Sequence, residues 1–136
     1  MRSSRAASLV LGTALLLVLA GCRPRIEVAL ASQDERLPSP RFVVEDPEHP
    51  ERPRYNTVQV LDRGGAMLWH LRAEPFGDQN SVSQFSYGEQ PAGFEVAEGP
   101  RPLEPGGRYV VFVIGTNRGS LHFDVDAEGR VVAVPP

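Results

Sequence analysis

Apolar and polar residues alternate with a period of two in several stretches after residue 55, a pattern typical of β-strands. One stretch, residues 109–114, is apolar at every position. Tyr109, Val111 and Val113 share one of its faces, and the residues between them share the other. A strand with two apolar faces is predicted to lie in the centre of a β-sandwich, with the other strands as its neighbours.

A β-hairpin is predicted on the N-terminal side of this strand. Residues 57–61 and 66–72 are apolar-rich and flank residues 62–65, which include two glycines that suit a tight turn. In the second strand of this hairpin, Trp69 shares an apolar face with Met67 and Leu71 and is predicted to point into the core.

A second hairpin is predicted near the C-terminal side of the sequence. Leu121, Phe123 and Val125 alternate with polar residues, and residues 126–129 then form a turn into the apolar residues 131–134. This turn adds one strand to the sandwich.

The stretch from residue 73 to residue 101 has a weaker pattern. Residues 81–87 and 94–96 are short strand candidates, and residues 74–80 and 88–93 are interpreted as loops. Binding residues concentrate on loops. The candidates for ligand or partner contacts are therefore Phe76, Asp78, Gln79, Asn80, Tyr87 and Glu89. Solvated loops and packing at the rim are the favoured alternative interpretation of these residues.

Residues 22–54 are polar and rich in proline, which cannot donate to a β-ladder. Residues 26–30 alternate and are interpreted either as tether or as an edge strand, and residues 42–44 are predicted to form a short strand packed on the sandwich. His49 is interpreted as an exposed loop residue. The predicted organisation is a leader over residues 1–21, a tether with candidate edge strands over residues 22–54, and a β-sandwich domain over residues 55–136.

Composition limits the classes of partner. A chain of 136 residues with 41% hydrophobic and 23% charged residues is typical of one globular domain. All fourteen basic residues are arginines, scattered along the chain. Without the two arginines of the leader, twelve basic residues face seventeen acidic ones, a net charge of about −5. This charge argues against nucleic acid as a partner.

The N-terminus carries the most specific chemical motif. Arg2 and Arg5 precede an apolar run over residues 6–20, which ends in the motif Leu19-Ala20-Gly21-Cys22. The run is shorter than the ~20 residues that a bilayer span needs. The motif resembles the lipobox of bacterial lipoproteins at every position. The alternative is an ordinary signal peptide, or an uncleaved anchor, with a chance cysteine.

The lipoprotein resemblance implies a modification and a location. Cys22 would accept a diacylglyceryl group, and the chain would be cut before it. Two or three acyl chains, at about 0.8 kcal/mol per buried methylene, would hold the protein on a lipid bilayer. The residue after the cysteine is Arg23, and not the aspartate that would resemble an inner-membrane retention signal of enteric bacteria. This favours the outer membrane of the cell envelope. Because Cys22 is the only cysteine, an internal disulfide is excluded.

A second resemblance concerns the fold. Leu103, Pro105, Tyr109, Val111 and Val113 match the Leu-x-Pro-x-x-x-Tyr-x-Val-x-Val pattern of fibronectin type III domains. Residues 117–120 are similar to the turn that follows this strand in the family, and Trp69 stands where such domains carry a core tryptophan. The resemblance covers residues 55–125 and implies an immunoglobulin-like antiparallel β-sandwich. It also implies that Tyr109 closes a corner between the sheets, with its hydroxyl bonded to a backbone carbonyl.

No catalytic motif is recognised in the sequence. His49, His70 and His122 lie on separate predicted elements without the spacing of metal ligands, and no nucleophile elbow occurs. We therefore expect a non-catalytic interaction or structural module without cofactor or metal, which presents loops or an edge strand to another envelope protein. The alternative is an accessory domain that binds peptidoglycan or another glycan through Phe76, Tyr87 or Phe94. The oligomeric state is left open.

Overall fold

The computed structural model describes residues 25–77 and 79–136. Within these ranges every regular element is a β-strand. No helix long and apolar enough to cross a membrane occurs among them. The strands are β1 (Glu27–Leu30), β2 (Arg41–Glu45), β3 (Arg54–Tyr55), β4 (Thr57–Asp62), β5 (Met67–Ala73), β6 (Gln79–Asn80), β7 (Gln84–Ser86), β8 (Phe94–Glu98), β9 (Arg108–Ile114), β10 (Arg118–Val125) and β11 (Val131–Val134).

The strands form two antiparallel sheets that pack face to face. One sheet has six strands in the order β11-β10-β9-β4-β5-β8, and the other has three in the order β1-β2-β7. A short β3–β6 pair lies beside them. The predicted all-β sandwich is confirmed at this level, and so is the central position of β9, which pairs with β10 and β4.

The core lies between the two sheets and is rich in aromatic side chains. Phe42, on the smaller sheet, lies with its ring centroid 5.5 Å from those of Phe85 and Phe123. Trp69 is fully buried against Phe85 and Tyr87, as predicted. Its indole Nε1 has no hydrogen-bond partner among the described residues. Packing alone therefore holds this ring.

Strand β9 is buried on one face only. Val111 and Val113 are fully buried and point toward the smaller sheet. On the opposite face, Phe112 and Ile114 are half-buried and line an open groove with residues of β1 and Pro136. The outer face of β9 is therefore apolar, as its sequence indicates, but no second sheet covers it within the described part of the chain.

Both predicted hairpins are confirmed. Strands β4 and β5 pair through a turn in which Gly65 adopts a φ of 87°, and the Asp62 carboxylate accepts the Ala66 amide at 2.9 Å. Strands β10 and β11 pair through a turn that Asp126 closes by accepting the Arg130 amide at 2.8 Å. In each turn an aspartate side chain satisfies a backbone donor that the strands leave free.

The corner at Tyr109 is formed, with one difference from the expectation. The Tyr109 hydroxyl accepts a hydrogen bond from the Glu104 amide at 2.9 Å, so its partner is a backbone N–H group and not the predicted carbonyl. Leu103 beside it is buried. A Cβ atom at Gly107 would lie 2.2 Å from the hydroxyl oxygen. The ring therefore rests directly on the glycine backbone.

Described residues before Tyr55 belong to the sandwich, which corrects the predicted boundary at Tyr55. Strands β1 and β2 pair with each other, and Ile26, Phe42 and Val44 are buried in the core. The prolines of this segment lie outside both strands and so do not interrupt the ladder. Residues 26–54 are thus part of the sandwich and not a tether. Cys22 and the predicted leader lie outside the described residues.

The sandwich has an upper and a lower end, which the strand pairing defines. At the upper end, Thr57 of β4 pairs with Ile114 of β9, and Ile114 pairs with Arg118 of β10. At the lower end, Asp62 of β4 pairs with Tyr109 of β9. The β10–β11 turn also lies at the lower end, because β10 runs from Arg118 toward it.

Candidate functional site

Tyr87 is a core residue and not a surface contact. Its ring packs edge-on against Trp69 with centroids 5.0 Å apart, and its hydroxyl donates to the Arg101 carbonyl at 2.5 Å. Burial raises the pKa of Tyr87 to about 12. The prediction that this residue contacts a ligand or partner was therefore wrong, because strand β7 directs the side chain into the space between the sheets.

The other predicted loop residues do not converge on one site. Phe76 is 69% exposed. Glu89 is also exposed, and its amide donates to the Ser86 carbonyl at 3.1 Å within a turn. Asp78 lies outside the described residues, and of Asn80 only the backbone is described, which pairs with Arg54. The described contacts of these residues are with different parts of the chain.

The proposed aromatic surface for a glycan is also incomplete. Phe94 is buried and stacks on Tyr55 with ring centroids 5.4 Å apart. With Tyr87 buried as well, Phe76 is the one of the three candidate aromatics that reaches solvent.

An exposed sheet edge at β8 is the clearest surface for a protein contact. Strand β8 is the outermost strand beside β5, and Val96 in it is 39% exposed. The Phe94 amide and carbonyl are satisfied by Pro91 and by the Gln90 side chain. Beyond Phe94, antiparallel alternation directs the backbone groups of Val96 away from β5, toward solvent. The edge is therefore open around Val96.

Charged pairs flank this edge. The Arg72 guanidinium lies 3.6 Å from the Glu95 carboxylate, and the Arg101 guanidinium lies 4.0 Å from that of Glu98. All four side chains are substantially exposed, so these pairs add little stability. Val96 is thus a single exposed apolar side chain among charged ones on this edge.

The opposite edge of the six-stranded sheet is partly covered. Val132 of β11 is 43% exposed. However, the Val131 amide donates to the Glu35 carbonyl at 2.9 Å, and the Leu37 amide donates to the Gly129 carbonyl at 2.9 Å. The segment between β1 and β2 thus occupies the beginning of this edge, so β8 is the more open of the two outer strands.

A buried aspartate organises the loop after β2. The Asp46 carboxylate accepts the amides of Glu48 and Arg54, both at 3.1 Å, and lies 2.9 Å from His49 Nδ1. Burial acts to raise the pKa of Asp46, but the hydrogen bonds from His49 and the two amides outweigh it, and the pKa is lowered overall. His49 is therefore a half-buried structural residue and not the exposed one predicted.

A second buried carboxylate, Glu35, fixes the segment between β1 and β2. The Arg41 side chain donates to both oxygens of Glu35, at 3.0 and 2.9 Å, and the Arg41 amide donates at 2.8 Å. The Ser32 hydroxyl also donates to this carboxylate. The Arg41 hydrogen bond is the main reason why the pKa of Glu35 is lowered to about 2. Neither carboxylate was identified in the sequence, because their partners are mostly backbone groups and an arginine that the sequence pattern does not single out.

The titratable side chains do not form a metal site. Within residues 25–77 and 79–136 no group of three or more histidine, cysteine, aspartate or glutamate residues could hold a metal ion. Comparison of the chain with protein families, curated proteins and solved structures found no match. Three features bear on function: the lipobox-like sequence of residues 19–22, the β8 edge and the exposed Phe76.

Proposed function

We propose that this chain is a lipid-anchored protein of the bacterial cell envelope, acylated at Cys22 and held at the outer membrane. The motif Leu19-Ala20-Gly21-Cys22 after an apolar run is the observation that carries this proposal. Among the described residues the buried core includes Ile26, which lies after the predicted cleavage site.

The fold is proposed to be of the immunoglobulin and fibronectin type III kind. The β1-β2-β7 sheet facing β10-β9-β4-β5 corresponds to strands A, B and E facing G, F, C and C′ of such sandwiches. The corner at Tyr109 supports the same assignment, since this tyrosine lies at the beginning of the strand that corresponds to F. Strands β8 and β11 are additions at the two outer positions of the larger sheet.

The role proposed for this module is a non-catalytic contact with another envelope protein at the β8 edge. An open edge can accept a strand of a partner through main-chain hydrogen bonds, with side-chain contacts supplying specificity. Val96 would lie at the centre of that contact. The glycan-binding alternative required exposed aromatic side chains, but Tyr87 and Phe94 are buried. No observation favours this alternative.

Crosslinking in intact cells tests both parts of this proposal. The wild-type protein should fractionate with membranes and crosslink to a specific envelope protein, whereas Cys22→Ala should leave the membrane fraction. Val96→Lys should remain in the membrane and lose the crosslink, because a charge on an open edge opposes strand pairing. Val132→Lys, at an equally exposed valine of the other edge, is the matched control and should retain it.

Two outcomes would contradict the proposal separately. If Cys22→Ala stays in the membrane fraction, the lipid anchor is not at this residue. If Val96→Lys and Val132→Lys both keep the crosslinked partner, the contact lies elsewhere on the molecule.

A further inference from the structure

The point at which the chain joins the sandwich is fixed at the upper end. The Ile26 amide donates to the Arg118 carbonyl at 3.1 Å, and the Ile26 side chain is 3% exposed. A Cβ atom at Gly119 would lie 2.0 Å from the Ile26 carbonyl oxygen, so the glycine allows this close crossing. Arg25 therefore precedes a firmly held residue at the end of the sandwich where β10 begins.

This position limits the distance between the sandwich and an acylated Cys22. Arg25 is the third residue after Cys22, and three extended residues span at most about 10 Å. The inference rests on the lipidation proposed above. If Cys22 carries acyl chains in the bilayer, the upper end lies at the depth of the lipid headgroups. A seven-residue strand such as β9 is about 23 Å long, so the lower end lies well away from the lipid.

Phe76 is carried by the same end of the sandwich. Its loop follows β5, in which Arg72 pairs with Thr57, and the Ala73 amide donates to the Asn56 carbonyl at 2.8 Å. Strand β5 is three positions from β10 in the sheet, a distance of about 14 Å. Phe76 is thus close enough to the chain's attachment point to reach the same membrane surface.

Phe76 is highly exposed at this end. At 69% it is the most exposed large apolar side chain among the described residues, ahead of Val132 and Val96. An aromatic ring in contact with water is stabilised when it enters the boundary between headgroups and acyl chains, because its apolar surface leaves water.

Charge attraction is a minor contribution at this end. The charged residues of its described segments are the basic Arg25, Arg52, Arg54 and Arg118 and the acidic Glu27, Glu45, Asp46, Glu48, Glu51 and Glu74, together with the Arg72–Glu95 pair, whose charges cancel. Four positive and six negative charges leave a net charge of about −2, which does not attract anionic headgroups. Binding of this surface to lipid is therefore expected to depend on apolar contact more than on anionic headgroups.

We propose that the upper end lies on the bilayer to which Cys22 is anchored, and that the Phe76 ring inserts into the interfacial region of that bilayer. Cys22 and Phe76 then form two separate attachments. A single lipidated residue allows the domain to rotate about its anchor, whereas two attachments fix which surfaces face the membrane. The strands would run away from the membrane, and the β8 edge would extend from the lipid surface toward the lower end.

Tryptophan quenching by brominated lipid tests this orientation. The full chain is acylated in cells, purified and reconstituted into vesicles of brominated phosphatidylcholine, with and without phosphatidylglycerol. The native Trp69 is fully buried and gives the background signal of the parent protein. Phe76→Trp places a second tryptophan at the upper end. Ala127→Trp, at an exposed position of the β10–β11 turn, places it at the lower end.

We expect the added tryptophan of Phe76→Trp to lose at least about half of its emission in brominated vesicles, because it lies at the acyl boundary. The tryptophan added by Ala127→Trp should emit equally in vesicles with and without bromine. The same quenching is expected with and without phosphatidylglycerol. In the Cys22→Ala background the Phe76→Trp signal should be unquenched, since one aromatic side chain is too weak an anchor alone.

The failures of the two proposals can be told apart. If the acylated proteins float with the vesicles but both added tryptophans are equally unquenched, the orientation is wrong and the anchor stands. If the protein with intact Cys22 carries no acyl group by mass and does not float, the lipoprotein proposal fails. Quenching that appears only with phosphatidylglycerol would overturn apolar insertion of Phe76.

Discussion

Gly107 and Tyr109 illustrate how a single glycine supports a buried side chain. The hydroxyl oxygen of Tyr109 lies where a Cβ atom of residue 107 would be placed. We expect Gly107→Ala to displace the ring, break the bond from the Glu104 amide and lower the free energy of unfolding by about 2–3 kcal/mol. Tyr109→Phe removes only the hydroxyl and should cost about 1 kcal/mol. Urea unfolding followed by Trp69 fluorescence measures both.

The double variant distinguishes this contact from a general effect of the glycine. In the Gly107→Ala background the ring is already displaced and the bond from the Glu104 amide already broken, so the further change Tyr109→Phe should cost little more, although the ring carbons Cζ and Cε2 still clash with the added Cβ atom. Additive losses in the double variant would mean that the two positions act independently.

Glu35 makes the stability of the N-terminal segment dependent on pH. Its pKa is lowered to about 2 from a usual value of 4.5, so its charged form is stabilised by folding. The resulting stability is present above about pH 5 and is lost as the pH falls toward 2. Because the Arg41 side chain is half-exposed, we expect this contribution to be about 1–2 kcal/mol.

Glu35→Gln tests this dependence. The variant should be less stable than wild type at pH 7, and the difference between the two should shrink below about pH 5 and nearly vanish as the pH falls to about 2 in urea unfolding. Part of the acid dependence should survive, because the pKa of Asp46 is lowered as well. Glu89→Gln, at an exposed turn position, is the matched control and should follow the wild-type curve. An unchanged pH profile in Glu35→Gln would show that the ion pair contributes nothing to folding.

At the scale of elements, local signals predicted the hairpins well. The β4–β5 and β10–β11 turns contain an aspartate and a glycine within a few residues, and both the turn geometry and the alternation of the strands depend on neighbours in the sequence. Strand β9 was recognisable because apolar residues occupy every position of it. These elements are determined by residues that lie close together along the chain.

Elements that depend on distant partners were not predictable in the same way. Strand β1 was left open between tether and edge strand, since its place is decided by Arg118 and Gly119, far along the chain. Whether a candidate contact residue is buried or exposed also depends on residues that are distant along the chain. Tyr87 and Phe76 both lie in the weakly patterned stretch of residues 73–101, and only the packing of Tyr87 against Trp69 makes one a core residue while the other reaches solvent.

At the scale of the whole molecule, the smaller sheet determines whether the larger one can fold. The inner faces of β4, β5, β9 and β10 are apolar, and β1 and β2 supply Val28, Phe42 and Val44 to cover them. A sheet with one apolar face requires a second layer for stability. The N-terminal segment therefore belongs to the folding unit, although its proline content resembles that of a linker.

A fragment of residues 55–136 should consequently fail to fold, whereas residues 25–136 should form the sandwich. Without Phe42, the rings of Phe85 and Phe123 would lose a shared neighbour and face water. Loss of one buried phenylalanine typically costs about 3–5 kcal/mol, a large part of the 5–15 kcal/mol that stabilises a domain, and the fragment lacks several such residues. Trp69 emission and the dispersion of amide proton resonances report the outcome. If the shorter fragment unfolds cooperatively with a buried Trp69, residues 26–54 are an accessory layer and the folding unit begins at Tyr55.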